Sequence, residues 1–204
     1  MDSNELIEDL CFHIRHIEPR QFKDKALAHQ MLSRLAHDGV LGYEDVISVP
    51  VSAVELLYVH TSSNQSADWN LLAHELRNRW CAVQPEPVRL YFATAKTIQR
   101  FGGDMAGRLG AADALSHDCG TTATYISLIA TDPTLRTAWV PEERIPEAYG
   151  VVHPDAMLAD ANGPRVLIEF CGQYSAERLQ RLGEFANSQN LPLHLWTIAV
   201  QENP

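Results

Sequence analysis

His153-Pro154-Asp155-Ala156-Met157-Leu158, Arg165-Val166-Leu167-Ile168-Glu169-Phe170-Cys171 and Ser175-Ala176-Glu177-Arg178-Leu179 decide how this chain is read. The first two stretches are short apolar runs carrying one acid each, and their length predicts strands over 152–158 and 165–171. The third opens a helix over 175–188: Ser175 is placed to cap it, Glu177 sits in its first turn, and Leu179, Leu182 and Phe185 make one apolar stripe. Paired as a hairpin, the two strands would bring Asp155 and Glu169 to one edge of a sheet.

Outward from this centre the pattern predicts a helix over 116–130, a strand near 137–140 and a last strand over 193–200, so the second half reads αβββαβ. In the first half, Leu6, Leu10, Ile14 and Ile17 predict a helix over 4–16, and Leu27, Met31, Leu32 and Leu35 a second over 25–37, stopped by Asp38-Gly39. Val46 to Val51 is a β-branched stretch, and 52–60 is apolar and open between helix and strand. Asp68 is a plausible N-cap for a helix with Leu71, Leu72, Leu76 and Trp80 inward and Arg77 and Arg79 toward water. A strand over 88–94 and a short helical follow-on over 96–101 come next. The glycines of 101–110 lack the strand-to-helix setting of a dinucleotide or phosphate-binding loop and read as a hinge. This gives two parts, 1–101 and 112–204.

The net charge of −10 disfavours nonspecific attraction to nucleic acid unless positive charge is concentrated locally. Residues 1–60 carry 5 basic and 10 acidic side chains and 115–204 carry 5 and 11, whereas 69–108 carry 6 and 3. Arg77, Arg79, Arg89, Lys96 and Arg100 in that basic stretch are the candidate DNA contacts, and helix, turn, strand and basic follow-on resemble a winged-helix segment. The alternative is an ordinary amphipathic helix with solvated arginines.

Cys11, Cys81, Cys119 and Cys171 are scattered with no CxxC pair and read as buried thiols of a reducing compartment. The acidic opening MDSNELIEDL is unlike a secretory signal, and no apolar run is long enough to span a bilayer, so a cytoplasmic protein without membrane contact is expected. Cys11, His13 and His16 lack an obvious fourth zinc ligand and read as a thiol beside a surface histidine pair.

Two carboxylates side by side, with a backbone carbonyl such as that of Phe170, suit Mg²⁺ or Mn²⁺, which activates water and neutralises a phosphodiester transition state. A lysine two positions beyond the glutamate would stabilise charge on the phosphate. That position is Cys171, a thiol that supplies no fixed positive charge and is a poor ligand for a hard cation. Arg178 is the nearest replacement in sequence, Arg165 is less well placed, and Gln173 could orient a water. His117 could support Glu143 or Asp155. The plainer reading makes Asp155 a strand-end carboxylate bonded to backbone and Glu169 a buried acid paired with an arginine.

The order HPDAML, VLIEF, CGQYSAERL resembles the PD-(D/E)xK nuclease superfamily, with Asp155 and Glu169 matching its acidic residues. It is similar, more narrowly, to the replication-relaxation family of bacterial plasmid and mobile-element proteins. Ser116-His117-Asp118, Trp139-Val140-Pro141-Glu142-Glu143, Pro154-Asp155-Ala156 and Ile168-Glu169-Phe170 carry that likeness, which covers 66–200. The resemblance implies an α/β protein with an N-terminal winged-helix-like helical part and a restriction-endonuclease-like αβββαβ core. It also implies a role on DNA in plasmid or mobile-element replication or regulation, with Asp155 and Glu169 as catalytic and metal-ligating residues. His117, Glu143, Gln173 and Arg178 would be auxiliaries. Cys171 points to a degenerate core. The competing readings are an active metal-dependent endonuclease and a non-catalytic adaptor that binds protein. A homodimer is compatible with each.

Overall fold

The computed structural model describes residues 2–63, 67–105, 112–146 and 153–200. In chain order its elements are α1 (Ser3–Phe12), α2 (Lys25–His37), β1 (Leu41–Ser48), β2 (Val54–His60), α3 (Trp69–Cys81), β3 (Glu86–Ala93), α4 (Ala95–Phe101), α5 (Ala112–Thr131), α6 (Leu135–Ala138), β4 (Trp139–Pro141), β5 (Ala156–Asp160), β6 (Gly163–Phe170), α7 (Ala176–Gln189) and β7 (Leu193–Ile198). The protein is mixed α/β, as expected. Among the described residues no helix is long and apolar enough to cross a membrane.

Two compact units form, and they do not follow a cut at 101–112: Met1–Ala53 joins Gln84–Ile126, and Val54–Val83 joins Ser127–Pro204. The expected helical N-terminal part is thus corrected. It contains three strands, and its middle segment, with β2 and α3, belongs to the second unit. The physical cause is strand pairing, since β2 runs antiparallel to β7 from Val54↔Ile198 to His60↔Leu193. Part of the glycine-rich stretch, 106–111, lies outside the described residues.

In the first unit β1 and β3 pair antiparallel, and Leu6, Leu10, Ile17, Leu32, Val88, Leu90 and Tyr125 are buried. Asp2 caps α1 through a reciprocal bond with Glu5. The helix ends at Phe12, short of the expected 16, and Ile17 exchanges backbone hydrogen bonds with Tyr91 instead. Asp38 and Gly39, at φ +71°, end α2 as expected, although Leu27 on its expected inner face is 61% exposed. The surface histidine pair is corrected: His16 is buried, its Nε2 3.5 Å from Cys119 Sγ, while His13 stacks on Tyr125. Burial drives the His16 pKa down from 6.5 to about 4, and Arg15 adds to the shift.

The second unit is a five-stranded sheet in the order β2-β7-β6-β5-β4, antiparallel except for the parallel neighbours β6 and β7, which α7 connects. The element order β4-β5-β6-α7-β7 reproduces the predicted sequence of strands and helix. Ser175 Oγ accepts from the Arg178 backbone N–H, and Asn190 closes α7 in the left-handed region. Asp68 likewise caps α3 by accepting from Leu71 N–H at 3.0 Å. Leu71 itself points outward at 61% exposure, against expectation, while Ala73, Leu76 and Trp80 face the core. Gly183 on α7 has no side chain because a Cβ there would lie 2.6 Å from the Trp69 ring. Of the four cysteines, Cys81 is exposed and the other three are buried, which corrects one of the four expectations.

Candidate functional site

Asp155 stands one residue before β5, and Glu169 one residue before the end of β6. The strand was expected from 152, but Val152 lies outside the described residues and β5 starts at Ala156, because Pro154 has no N–H to give a ladder. Antiparallel pairing sets Ala156 against Ile168, so the two acids arrive side by side, as expected of a hairpin of these strands. They are bonded reciprocally through the backbone. Asp155 N–H donates to Glu169 Oε2 at 3.2 Å, and Phe170 N–H donates to Asp155 Oδ2 at 2.7 Å.

Both carboxylates are buried, Glu169 completely. A buried carboxylate is costly unless its oxygens are satisfied and its charge is balanced. The start of α7 meets that demand. Tyr174 Oη donates to Glu169 Oε1 at 2.7 Å, and Arg178 Nη2 donates to Tyr174 Oη at 2.9 Å while standing 3.4 Å from the same Glu169 oxygen. The Arg178 guanidinium lies 3.9 Å from the Tyr174 ring centroid, in cation–π geometry. Burial raises the Tyr174 pKa far above the ordinary phenol value, and the charges of Glu169 and Asp155 reinforce the shift, so the phenol keeps its proton and serves as a donor.

Cys171 is fully buried and belongs to the apolar cluster of Leu76, Leu167, Leu179 and Leu182. Its backbone is pinned on both sides: its N–H donates to the Trp196 carbonyl at 2.7 Å, and its carbonyl accepts from Trp80 Nε1 at 2.9 Å. Burial, then the nearby carboxylates, pushes the thiol pKa well above its usual value, so the group is neutral.

A divalent cation at the acid pair would meet carboxylate oxygens that already have partners. Two hard carboxylates are present, but three of their four oxygens, Asp155 Oδ2 and both of Glu169, already accept hydrogen bonds. A guanidinium supplies positive charge at the pair, and the nearby Cys171 thiol is neutral and soft.

The other expected residues come from several elements. Gln173 is exposed, Arg165 pairs with Asp160 at 2.8 Å, and Glu143 is exposed on a short 3₁₀ turn at Glu142–Arg144. His117 lies on α5 in the first unit. Among the candidate DNA contacts, two have acidic partners. Arg79 is held by Glu55 and by Glu75 at 2.8 Å, with its side chain 19% exposed, and also reaches the Ile198 carbonyl. Arg89 makes two 2.7 Å bonds to Asp45 across β1 and β3 and lies over the Tyr43 ring. Arg77 on α3 is exposed, as are Lys96 and Arg100, one turn apart on α4.

Tyr174 was not anticipated. Its only sequence signal is its place four residues before Arg178 at a helix entrance, a spacing that aligns two side chains. Comparison with protein-family models, with curated proteins and with solved structures finds no match to this chain.

Proposed function

We propose that this is a cytoplasmic, DNA-associated regulatory protein whose second unit is a nuclease-like core that does not cleave. The observation that carries the reading is the acid pair at the β5–β6 edge, with Cys171 buried beside it in the place of a cation. Sheet order and the β-β-β-α-β succession are compatible with a restriction-endonuclease-like core. The likeness to replication-relaxation proteins supports a setting in plasmid or mobile-element replication or regulation.

Support for DNA contact is narrower than the sequence promised. It consists of exposed Lys96 and Arg100 in the first unit, where Arg89 is exposed but paired with Asp45, and exposed Arg77 in the second. The winged-helix-like reading of 69–101 now rests on α3 for one unit and on β3 and α4 for the other. Each exposed cation that meets a phosphate releases a counterion, so binding should weaken steeply with salt.

The test is fluorescence anisotropy of a labelled duplex across a salt series, with supercoiled plasmid incubated in Mn²⁺ in parallel. Binding whose log–log salt slope falls by about 2 in Lys96→Ala/Arg100→Ala, with intact plasmid, is the expected result. Nicking lost in Asp155→Ala/Glu169→Ala would establish an endonuclease instead. Absence of duplex binding at low salt would leave the protein-binding adaptor.

A further inference from the structure

Glu169 is fully buried, and a second carboxylate, Asp155, is bonded to it through the backbone, yet the surroundings are largely apolar. Such a pair demands positive charge or a proton. A cation that answers comes from the first turn of α7. Arg178 reaches Glu169 both directly, at 3.4 Å, and through the Tyr174 hydroxyl, which bridges the guanidinium and the carboxylate with bonds of 2.9 and 2.7 Å. The relay matters because the direct contact is long for a charge-assisted bond. At its other end the Arg178 side chain is 55% exposed, so its removal opens no cavity in the core and subtracts mainly charge.

We propose that Arg178 is a built-in counter-cation of the Asp155–Glu169 pair, seated through Tyr174, and that it makes this core independent of the divalent ion its acids would otherwise take. The inference rests on the non-catalytic reading of the core. Arg178 is a positioning and charge-balancing residue here; it is assigned no bond-making role. Removing it should subtract that charge from the two carboxylates and so raise their demand for another cation. Hard oxygen donors answer that demand best with a small divalent ion.

The experiment titrates Mn²⁺ calorimetrically into wild type, Arg178→Ala, Arg178→Lys and Arg178→Ala/Glu169→Gln, and repeats thermal melts with and without the ion. Wild type should show no saturable heat. Arg178→Ala should bind saturably, and its melting temperature should rise by about 5 °C when Mn²⁺ is about 100-fold above its Kd. Arg178→Lys should take up little of the ion, and Glu169→Gln should abolish the gain. If Arg178→Ala melts too low to titrate at 25 °C, Arg178→Met, which keeps the stem over Tyr174, gives the same comparison. Indifference of both variants to Mn²⁺ overturns this inference and leaves the proposed function standing. Uptake by wild type without nicking does the same. Uptake by wild type with nicking overturns the non-catalytic reading itself.

Discussion

Replacing Tyr174 by Phe removes one oxygen and little else. That oxygen is the hydroxyl that donates to the buried Glu169 at 2.7 Å and accepts from Arg178 at 2.9 Å. The ring keeps its packing, so the loss is that of a hydrogen bond to a charged group, about 1.5–3 kcal/mol. The upper half of that range is expected, because Glu169 has no exposure through which water could replace the donor. With a urea m-value of about 2 kcal/mol/M, a loss near 2.5 kcal/mol moves the unfolding midpoint down by about 1 M. Trp69, Trp80, Trp139 and Trp196 are all four tryptophans of the chain, and all lie in the second unit, so their fluorescence follows the unit in which the change is made. The same substitution in a Glu169→Gln background should cost at least about 1 kcal/mol less, since the charge that made the bond strong is gone. A midpoint shift under roughly 0.2 M, or equal costs in both backgrounds, would refute the claim that Tyr174 holds the acid.

In the first unit, His16 is neutral when folded, with a pKa near 4 against 6.5, so the unfolded chain binds the extra proton and stability falls as pH drops from about 6.5 toward 4. The loss amounts to about 3 kcal/mol for this group, and His16→Gln should flatten that limb in circular-dichroism melts; unchanged pH slopes would argue against it. Gly183→Ala gains about 1 kcal/mol of helix propensity but sets a methyl 2.6 Å from Trp69, so a net loss of about 1–2 kcal/mol is expected in urea unfolding. An increase in stability would mean that α3 and α7 are not tightly apposed. Asp68→Ala should cost about 1 kcal/mol by removing the cap of α3, and Asp68→Ser should recover most of it.

The elements with local signals were legible in the sequence. Ser175 with the Leu179–Leu182 stripe fixed α7, Asp68 fixed the start of α3, and the acid pair followed from two neighbouring strands. What stayed hidden depends on partners far away in the chain. Glu75 was within helical reach of Arg79, but Glu55 meets it only once β2 is placed beside β7, and Asp45 meets Arg89 from another strand. The plainer description of Glu169, a buried acid paired with an arginine, matches what is observed, but no spacing rule announced the tyrosine between them. The stretch 52–60 was ambiguous for the same reason: an edge strand is defined by its neighbour, and β7 is the last of the described strands.

That pairing governs the order in which the molecule can be made. As synthesis proceeds from the N-terminus, β2 and α3 are made long before β7, the strand that pairs with β2, exists. Until then Leu76 and Trp80 have no sheet to cover, and a nascent chain halted near residue 101 holds orphaned pieces of a unit it cannot finish. Fragments cut at the glycine-rich stretch inherit the same defect, so dissecting this protein into halves would yield two incomplete folding units.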